Sequence, residues 1–505
     1  IISNRQSKRK LRIFYSSLVI LIFSLVASEI NLPLGALVAS IGVVICTWGY
    51  LIFLIPTKRK EPIIQAEAGQ LIEKKRRFKS IDSIRGMGIL LLVGFHIIIG
   101  LLKSPLEASE YFRDPFFAVF AIISTLASLF FIPAGASVLF SMNKRARKKV
   151  EPKKILIQQI KRGIFLILLG TVYDIFVYDF HWGIIDVLQI TGLSIIIISL
   201  LYYPLIKNHY ASSHEIKQKN MIDQSYKTLA RTFSILALVV VLFSPIARML
   251  FGYPVEDPNI DFFVSYSTPT NFIEYIQAWL TTSFYPIFPC LGFFFLGSAV
   301  GAIFLINRDK NQIIRKSFAK LIVILAILFQ IAAVIISSIG GSLAGDLLLL
   351  PYNDQPKWVM EFTINAQPIS TVLFLLHLGI TFLFIGILYY AQDIEHLGKT
   401  QALLNMFTQK LRLQYLGRIL IRFSYASLTI YILQYLWVVI LRFYELATGI
   451  QVLYTIESLL AIVIWMIIAT LFFVILSYYF EKYDYNYGFE GLDRKIQLWS
   501  KKVGQ

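Results

Sequence analysis

Apolar residues run along this chain in long unbroken blocks separated by short polar stretches. Twelve blocks stand out, near 13–29, 34–55, 83–103, 115–141, 155–177, 183–205, 232–252, 285–306, 320–343, 368–391, 419–443 and 455–480. Each is close to the ~20 residues that an α-helix needs to cross a bilayer. The blocks are continuous rather than alternating, so they predict helices and not the strands of a barrel. The pattern therefore predicts an all-α, polytopic membrane helix bundle of about 12 transmembrane helices. Polar stretches at 310–320 and 400–418 are read as amphipathic helices lying at the interface. The segment 253–284 is the longest outer loop.

Charge then orients the bundle. With the N-terminus on the cytoplasmic side, the alternate loops facing that side hold 43 of the 48 Lys and Arg. The same loops hold only 14 of the 30 acidic residues. Such an excess of basic loops on one side predicts both termini in the cytoplasm, with an even number of spans. Three parts are expected: a two-helix hairpin and basic linker over 1–75, a main transmembrane unit over 76–445, and a last helix with a basic cytoplasmic tail over 446–505.

Composition narrows the class. The 505 residues are 57% hydrophobic and 15% charged, and the formal net charge is +18. Soluble domains carry about 25% charged residues, so a soluble enzyme, a disordered chain and a disulfide-built secreted domain are all excluded. The two cysteines, Cys46 and Cys290, form no disulfide framework and no metal-spaced cluster. No metal is expected. The basic excess is a topology signal, so it does not argue for nucleic acid. Membrane lipids are the natural surroundings.

Candidate chemistry concentrates where the third block begins. Asp82, Arg85 and His96 are polar residues in a segment that must otherwise face lipid or pack. Buried charges there need partners or a cavity. Eleven residues make about three helical turns, so Arg85 and His96 share one face about 16 Å apart along the axis. Asp82 precedes Arg85 by three positions, close enough to pair with it or to cap the helix start. A helix-end ion pair and a packed histidine would use the same residues.

This stretch also carries a family resemblance. Ser80-Ile81-Asp82-Ser83-Ile84-Arg85-Gly86 followed by Gly94-Phe95-His96 resembles the opening of the transmembrane acyltransferase superfamily. It is similar to the heparan-alpha-glucosaminide N-acetyltransferase catalytic domain and shares an Arg-x10-His pattern with the acyltransferase-3 family. Phe130-Phe131-Ile132-Pro133-Ala134-Gly135-Ala136-Ser137, Lys161-Arg162-Gly163 and Trp182-Gly183-Ile184-Ile185-Asp186-Val187-Leu188-Gln189 resemble further segments of the first group. Leu428-Thr429-Ile430-Tyr431-Ile432-Leu433-Gln434 is similar to a span of related bacterial membrane proteins. In the lysosomal branch an Asn stands where His96 does here, so His96 fits the O-acyltransferase pattern better.

The resemblance implies transfer of an acetyl or other acyl group. The donor is acetyl-CoA or another acyl-CoA, and the acceptor is a hydroxyl or amine of a glycan or glycolipid on the outer side. His96 is then the general base. Arg85 positions the donor with Asp82 behind it, and Arg77, Lys79 and Arg162 bind the donor's anionic part. Asp174, Asp179, His181, Trp182, Asp186 and Arg248 are the acceptor-side candidates, and Arg248 is expected to pair with an acid on the fifth or sixth span. His377, Gln189, Tyr431 and Gln434 are read as hydrogen bonders inside the bundle. A homodimer is an optional arrangement. The expected membrane is the plasma membrane of a prokaryote, with an organelle membrane as the alternative. The rival functions are a secondary transporter and a non-catalytic family member.

Overall fold

In the computed structural model, the described residues are 78–101, 128–177, 186–211, 215–251, 271–282, 285–307, 312–344, 371–394, 413–434, 448–449, 459–485 and 488–499. Every regular element among them is helical. In chain order these are α1 (Lys79–Leu101), α2 (Ser128–Arg147), α3 (Pro152–Val177), α4 (Val187–Ala211) and α5 (Glu215–Phe251). A short α6 (Phe272–Gln277) runs into a π turn (Ala278–Thr282) and is followed by α7 (Ile287–Asn307) and α8 (Gln312–Ala344). Next come α9 (Thr371–Leu388) with a π turn (Tyr389–Asp393), α10 (Leu413–Tyr425) and α11 (Ser427–Leu433). The last two are α12 (Leu459–Lys482) and α13 (Phe489–Trp499).

Local chemistry sets several of these boundaries. Pro152 opens α3 at a position where its missing N–H costs nothing. α2 ends in Lys144, Arg145 and Arg147, cations that suit the negative end of a helix. The chain then turns sharply at Lys149, which has φ 56°, and Val150 N–H donates back to the Arg145 carbonyl at 3.2 Å. Asn271 caps α6 through two backbone N–H groups, each at 3.0 Å.

Seven of the described helices are long and apolar enough to cross a membrane: Pro152–Tyr173, Val187–Lys207, Gln224–Phe251, Ile287–Asn307, Ile314–Ile339, Thr371–Asp393 and Ile464–Lys482. Each coincides with a block expected from sequence, and the protein is a multi-pass helical membrane protein. Their exteriors are apolar, with Leu168, Leu242 and Val334 all more than half exposed. In water such a surface would be a liability, and lipid removes the cost. The third and fourth blocks are helical where described, as α1 and α2. The first two lie outside the described residues.

Two expectations need correction. The stretch 310–320 is no separate interfacial helix where it is described. From Gln312 it forms the first turns of α8, which has no proline or glycine before Gly340. The block 419–443 is not one straight span. Tyr415–Tyr425 and Ser427–Leu433 meet at a bend of 76°. The break falls at Ala426, whose backbone leaves the helical region at φ −98° and ψ 16°.

α7 is the central helix, with 83% of its spanning window buried, whereas the window of α8 is 17% buried. α7 packs on α2 at backbone distance. A Cβ on Gly135 would run into the Phe294 carbonyl, and one on Gly297 into the Ile132 carbonyl. Ser298 Oγ donates to the Gly135 carbonyl across the same contact at 3.3 Å. The motif around Gly135 is therefore a packing seam.

Candidate functional site

The helix that carries Asp82, Arg85 and His96 is anchored at its start by a remote residue. Asp393, at the end of the π turn after α9, accepts from Lys79 N–H at 2.9 Å, from Ser80 N–H at 3.1 Å, and from the Ser80 hydroxyl. One turn on, Ser83 Oγ donates to Gln392 Oε1 at 3.0 Å. Arg315 of α8 holds this turn from behind, donating to the Asp393 carbonyl and to the Tyr389 hydroxyl. The two serines of the motif are thus docking points. The capping role considered for Asp82 belongs to Asp393.

Asp82 instead faces Arg85, 3.7 Å away. Arg85 Nε donates to Ser424 Oγ of α10 at 2.9 Å. α1 and α10 touch so closely that a Cβ on Gly86 would overlap the Leu420 carbonyl. That glycine lets Arg85 reach the last turn before the break between α10 and α11. Lys79 is exposed at the helix start.

His96 lies about 16 Å further along α1, and Gln434, at the end of α11, presents its side chain to it. Gln434 is 3% exposed, and neither its Oε1 nor its Nε2 reaches hydrogen-bond geometry with any described residue. Three residues earlier on the same short helix, the Tyr431 hydroxyl donates to Asp186 Oδ2. The second oxygen of Asp186 accepts from Val187 N–H at 2.6 Å, and Gln189 Oε1 accepts from Asp186 N–H at 3.1 Å. The Tyr173 hydroxyl donates to the Tyr431 carbonyl at 3.5 Å. Positions i and i+3 share a helix face. One face of α11 and its end therefore present Tyr431 to Asp186 and Gln434 to His96.

The remaining candidates separate. Arg248 is 1% exposed, and its charge is felt at Cys290 of α7. Asp186 takes a hydroxyl partner, and no ion pair joins it to Arg248. Arg162 of α3 lies at the basic end of the bundle, its Nε 3.2 Å from Asp493 Oδ2 of α13. The side chain of Asp174 and all of Arg77, Asp179, His181 and Trp182 lie outside the described residues. His377 is fully buried, and it stacks near Phe293 with ring centroids 6.4 Å apart. Neither of its ring nitrogens has a hydrogen-bond partner among the described residues, so the expected hydrogen-bonding role is replaced by aromatic packing. Among the described residues, no three His, Cys, Asp or Glu side chains gather as a metal would require.

Sequence reasoning missed Asp393, Ser424, Glu490 and Asp493, and it read Tyr431 and Gln434 only as hydrogen bonders. The available signal for the tail acids was their spacing of three on an amphipathic stretch of a basic tail. For Asp393 and Ser424 the local sequence carries no signal.

The sequence model of the family described as heparan-alpha-glucosaminide N-acetyltransferase, catalytic, matches residues 77–336. The match takes in Asp82, Arg85, His96, Arg162, Asp186 and Arg248. Ser424, Tyr431, Gln434, Glu490 and Asp493 lie beyond it. None of the curated proteins matches the chain.

Proposed function

The chain belongs to the heparan-alpha-glucosaminide N-acetyltransferase catalytic family, and from that membership we propose that it moves an acetyl or related acyl group from acyl-CoA to a glycan or glycolipid acceptor across the membrane. The observation that supports this reading is that His96 and Asp186 both meet one face of α11, through Gln434 and Tyr431.

His96 removes the proton from an acceptor hydroxyl or amine as that atom attacks the thioester carbonyl. The new bond to the acyl carbon forms as the carbon–sulfur bond breaks, and His96 returns the proton to the departing thiolate. Gln434 has a spare N–H beside the histidine, the kind of donor that holds a developing oxyanion. Arg85, kept in place by Asp82 and Ser424, orients the donor from the basic face by charge-assisted hydrogen bonds. Lys79 and Arg162 lie toward that same side, and Arg77 is assigned with them to the donor's anionic part. Asp186 and Arg248, with Asp174, Asp179, His181 and Trp182, belong to the acceptor side. The basic face is cytoplasmic in this reading. The membrane is a prokaryotic plasma membrane, and the protein works in contact with its lipids.

The test is acyl transfer by the purified chain in proteoliposomes, with labelled acetyl-CoA on the basic side and glycan acceptors on the other. Label should appear in the acceptor. Hydrolysis-free retention of the label on CoA, with every acceptor class tried, would contradict the reading.

A further inference from the structure

α13 sends two carboxylates into the bundle. Glu490 and Asp493 are three apart and so lie on one face of this amphipathic helix. Their surroundings differ. Glu490 is fully engaged: it accepts from Thr429 N–H at 2.9 Å and from the Thr429 hydroxyl, while Phe489 N–H donates to that same hydroxyl oxygen at 2.8 Å. The fit is tight enough that a Cβ on Gly488 would press on Thr429 Oγ1 and on the Glu490 carboxylate.

Asp493 is buried, 8% exposed, but poorly satisfied. It faces Arg162 at 3.2 Å, yet the approach misses hydrogen-bond geometry, and Asp493 Oδ1 has no donor among the described residues. Arg145, whose guanidinium donates to Gln158, is close enough to feel both groups. Burial and the neighbouring Arg162 push Arg145 below the usual guanidinium range, and Asp493 pulls it back up. Two mutually repelling cations thus stand near one carboxylate, and Arg162 makes no full hydrogen bond to it.

We propose that Arg145 and Arg162 form a phosphate-binding site for the nucleotide part of the donor, and that Asp493 occupies this site until the donor displaces it. The proposal rests on the acyl-CoA reading above and adds a regulator to it. A phosphate group offers three acceptor oxygens and more charge than a carboxylate, and it matches the forked guanidinium donors. The exchange replaces a half-satisfied ion pair with a satisfied one. Glu490 remains bound meanwhile, so α13 stays tethered at Thr429 while its Asp493 turn swings out. The tail is then a built-in competitor of the donor.

The test is titration of coenzyme A into the full-length purified protein, comparing wild type, Asp493→Asn and Arg162→Gln. Asp493→Asn should tighten coenzyme A binding about fivefold, and Arg162→Gln should weaken it about tenfold. Weaker binding with Arg162→Gln but no gain with Asp493→Asn would overturn the competition and leave the phosphate site standing. Coenzyme A affinity indifferent to both changes would overturn the site. No binding by any variant, together with no acyl transfer, would bring down the proposed function itself. Hydrogen exchange on wild type needs no variant to fold: coenzyme A should speed exchange of the α13 amides, and unchanged exchange on saturation would overturn the proposal.

Discussion

Asp393 and Glu490 do the same work at two helix starts. Asp393 takes the first N–H groups of α1, and Glu490 takes the Thr429 N–H near the start of α11. Each reaches across from a distant part of the chain. They are held differently. Asp393 ends a spanning helix and is pinned by Arg315 of a third helix. Glu490 hangs from an 11-residue helix on the rim of the bundle, where Leu492 remains 44% exposed. The first cap is part of the frame that fixes Arg85 and His96. The second can be released without unpacking a span, and it sits beside the bend that presents Tyr431 and Gln434. A rigid base helix beside an adjustable partner helix is the arrangement expected where a bound donor must enter and leave.

Substitutions can break this contrast at either end. Asp393→Ala leaves three donors without their acceptor at a partly buried helix start, which should cost about 3 kcal/mol. Thermal unfolding in detergent should show a large loss of stability, and transfer activity should fall with it. Tyr431→Phe strips Asp186 of its hydroxyl donor. Acyl transfer should drop about tenfold, with a stability loss of about 2 kcal/mol from the unsatisfied buried carboxylate, smaller than that of Asp393→Ala. Glu490→Ala should cost only about 1 kcal/mol, because the tail can move into water. Its signature should be faster proteolysis of 488–499 in an otherwise folded protein. Equal destabilisation by Asp393→Ala and Glu490→Ala would erase the distinction between the caps.

The smallest effect is a pH dependence. Burial holds the Glu490 carboxyl above the usual glutamate range, and the hydrogen bonds from Thr429 draw it partly back. A raised folded value favours docking of the protonated form. That contribution is full below the ordinary value of 4.5 and fades as pH climbs through the raised one. The protection of the α13 amides, taken relative to their intrinsic exchange rate at each pH, should fall across that window in wild type and stay flat in Glu490→Gln.

The spanning helices were legible because a bilayer demands long apolar runs, and seven described spans fall where those runs lie. Asp82, Arg85 and His96 were legible for the related reason that polar groups in such runs need an explanation. The bend at Ala426 was not. It follows no proline or glycine, and its contacts are distant: Arg85 bonds Ser424 on one side, and Glu490 bonds Thr429 on the other. Neighbours 339 and 61 positions away leave no local trace. Asp393 was hidden for the same reason, since it reads as one more polar residue after a span. The link from His96 to Asp186 was half legible. Tyr431 and Gln434 were visible as polar residues of one motif, but only the fold brings α1 and α4 against the same short helix.

The central claim is that His96 performs the proton transfer of an acyl-transfer reaction. The most direct measurement is the rate of label transfer from acetyl-CoA to acceptor by His96→Ala in proteoliposomes, beside wild type and with coenzyme A binding measured in both. The account predicts a fall of at least about 10²-fold in turnover with coenzyme A affinity retained. Full transfer by His96→Ala would contradict it.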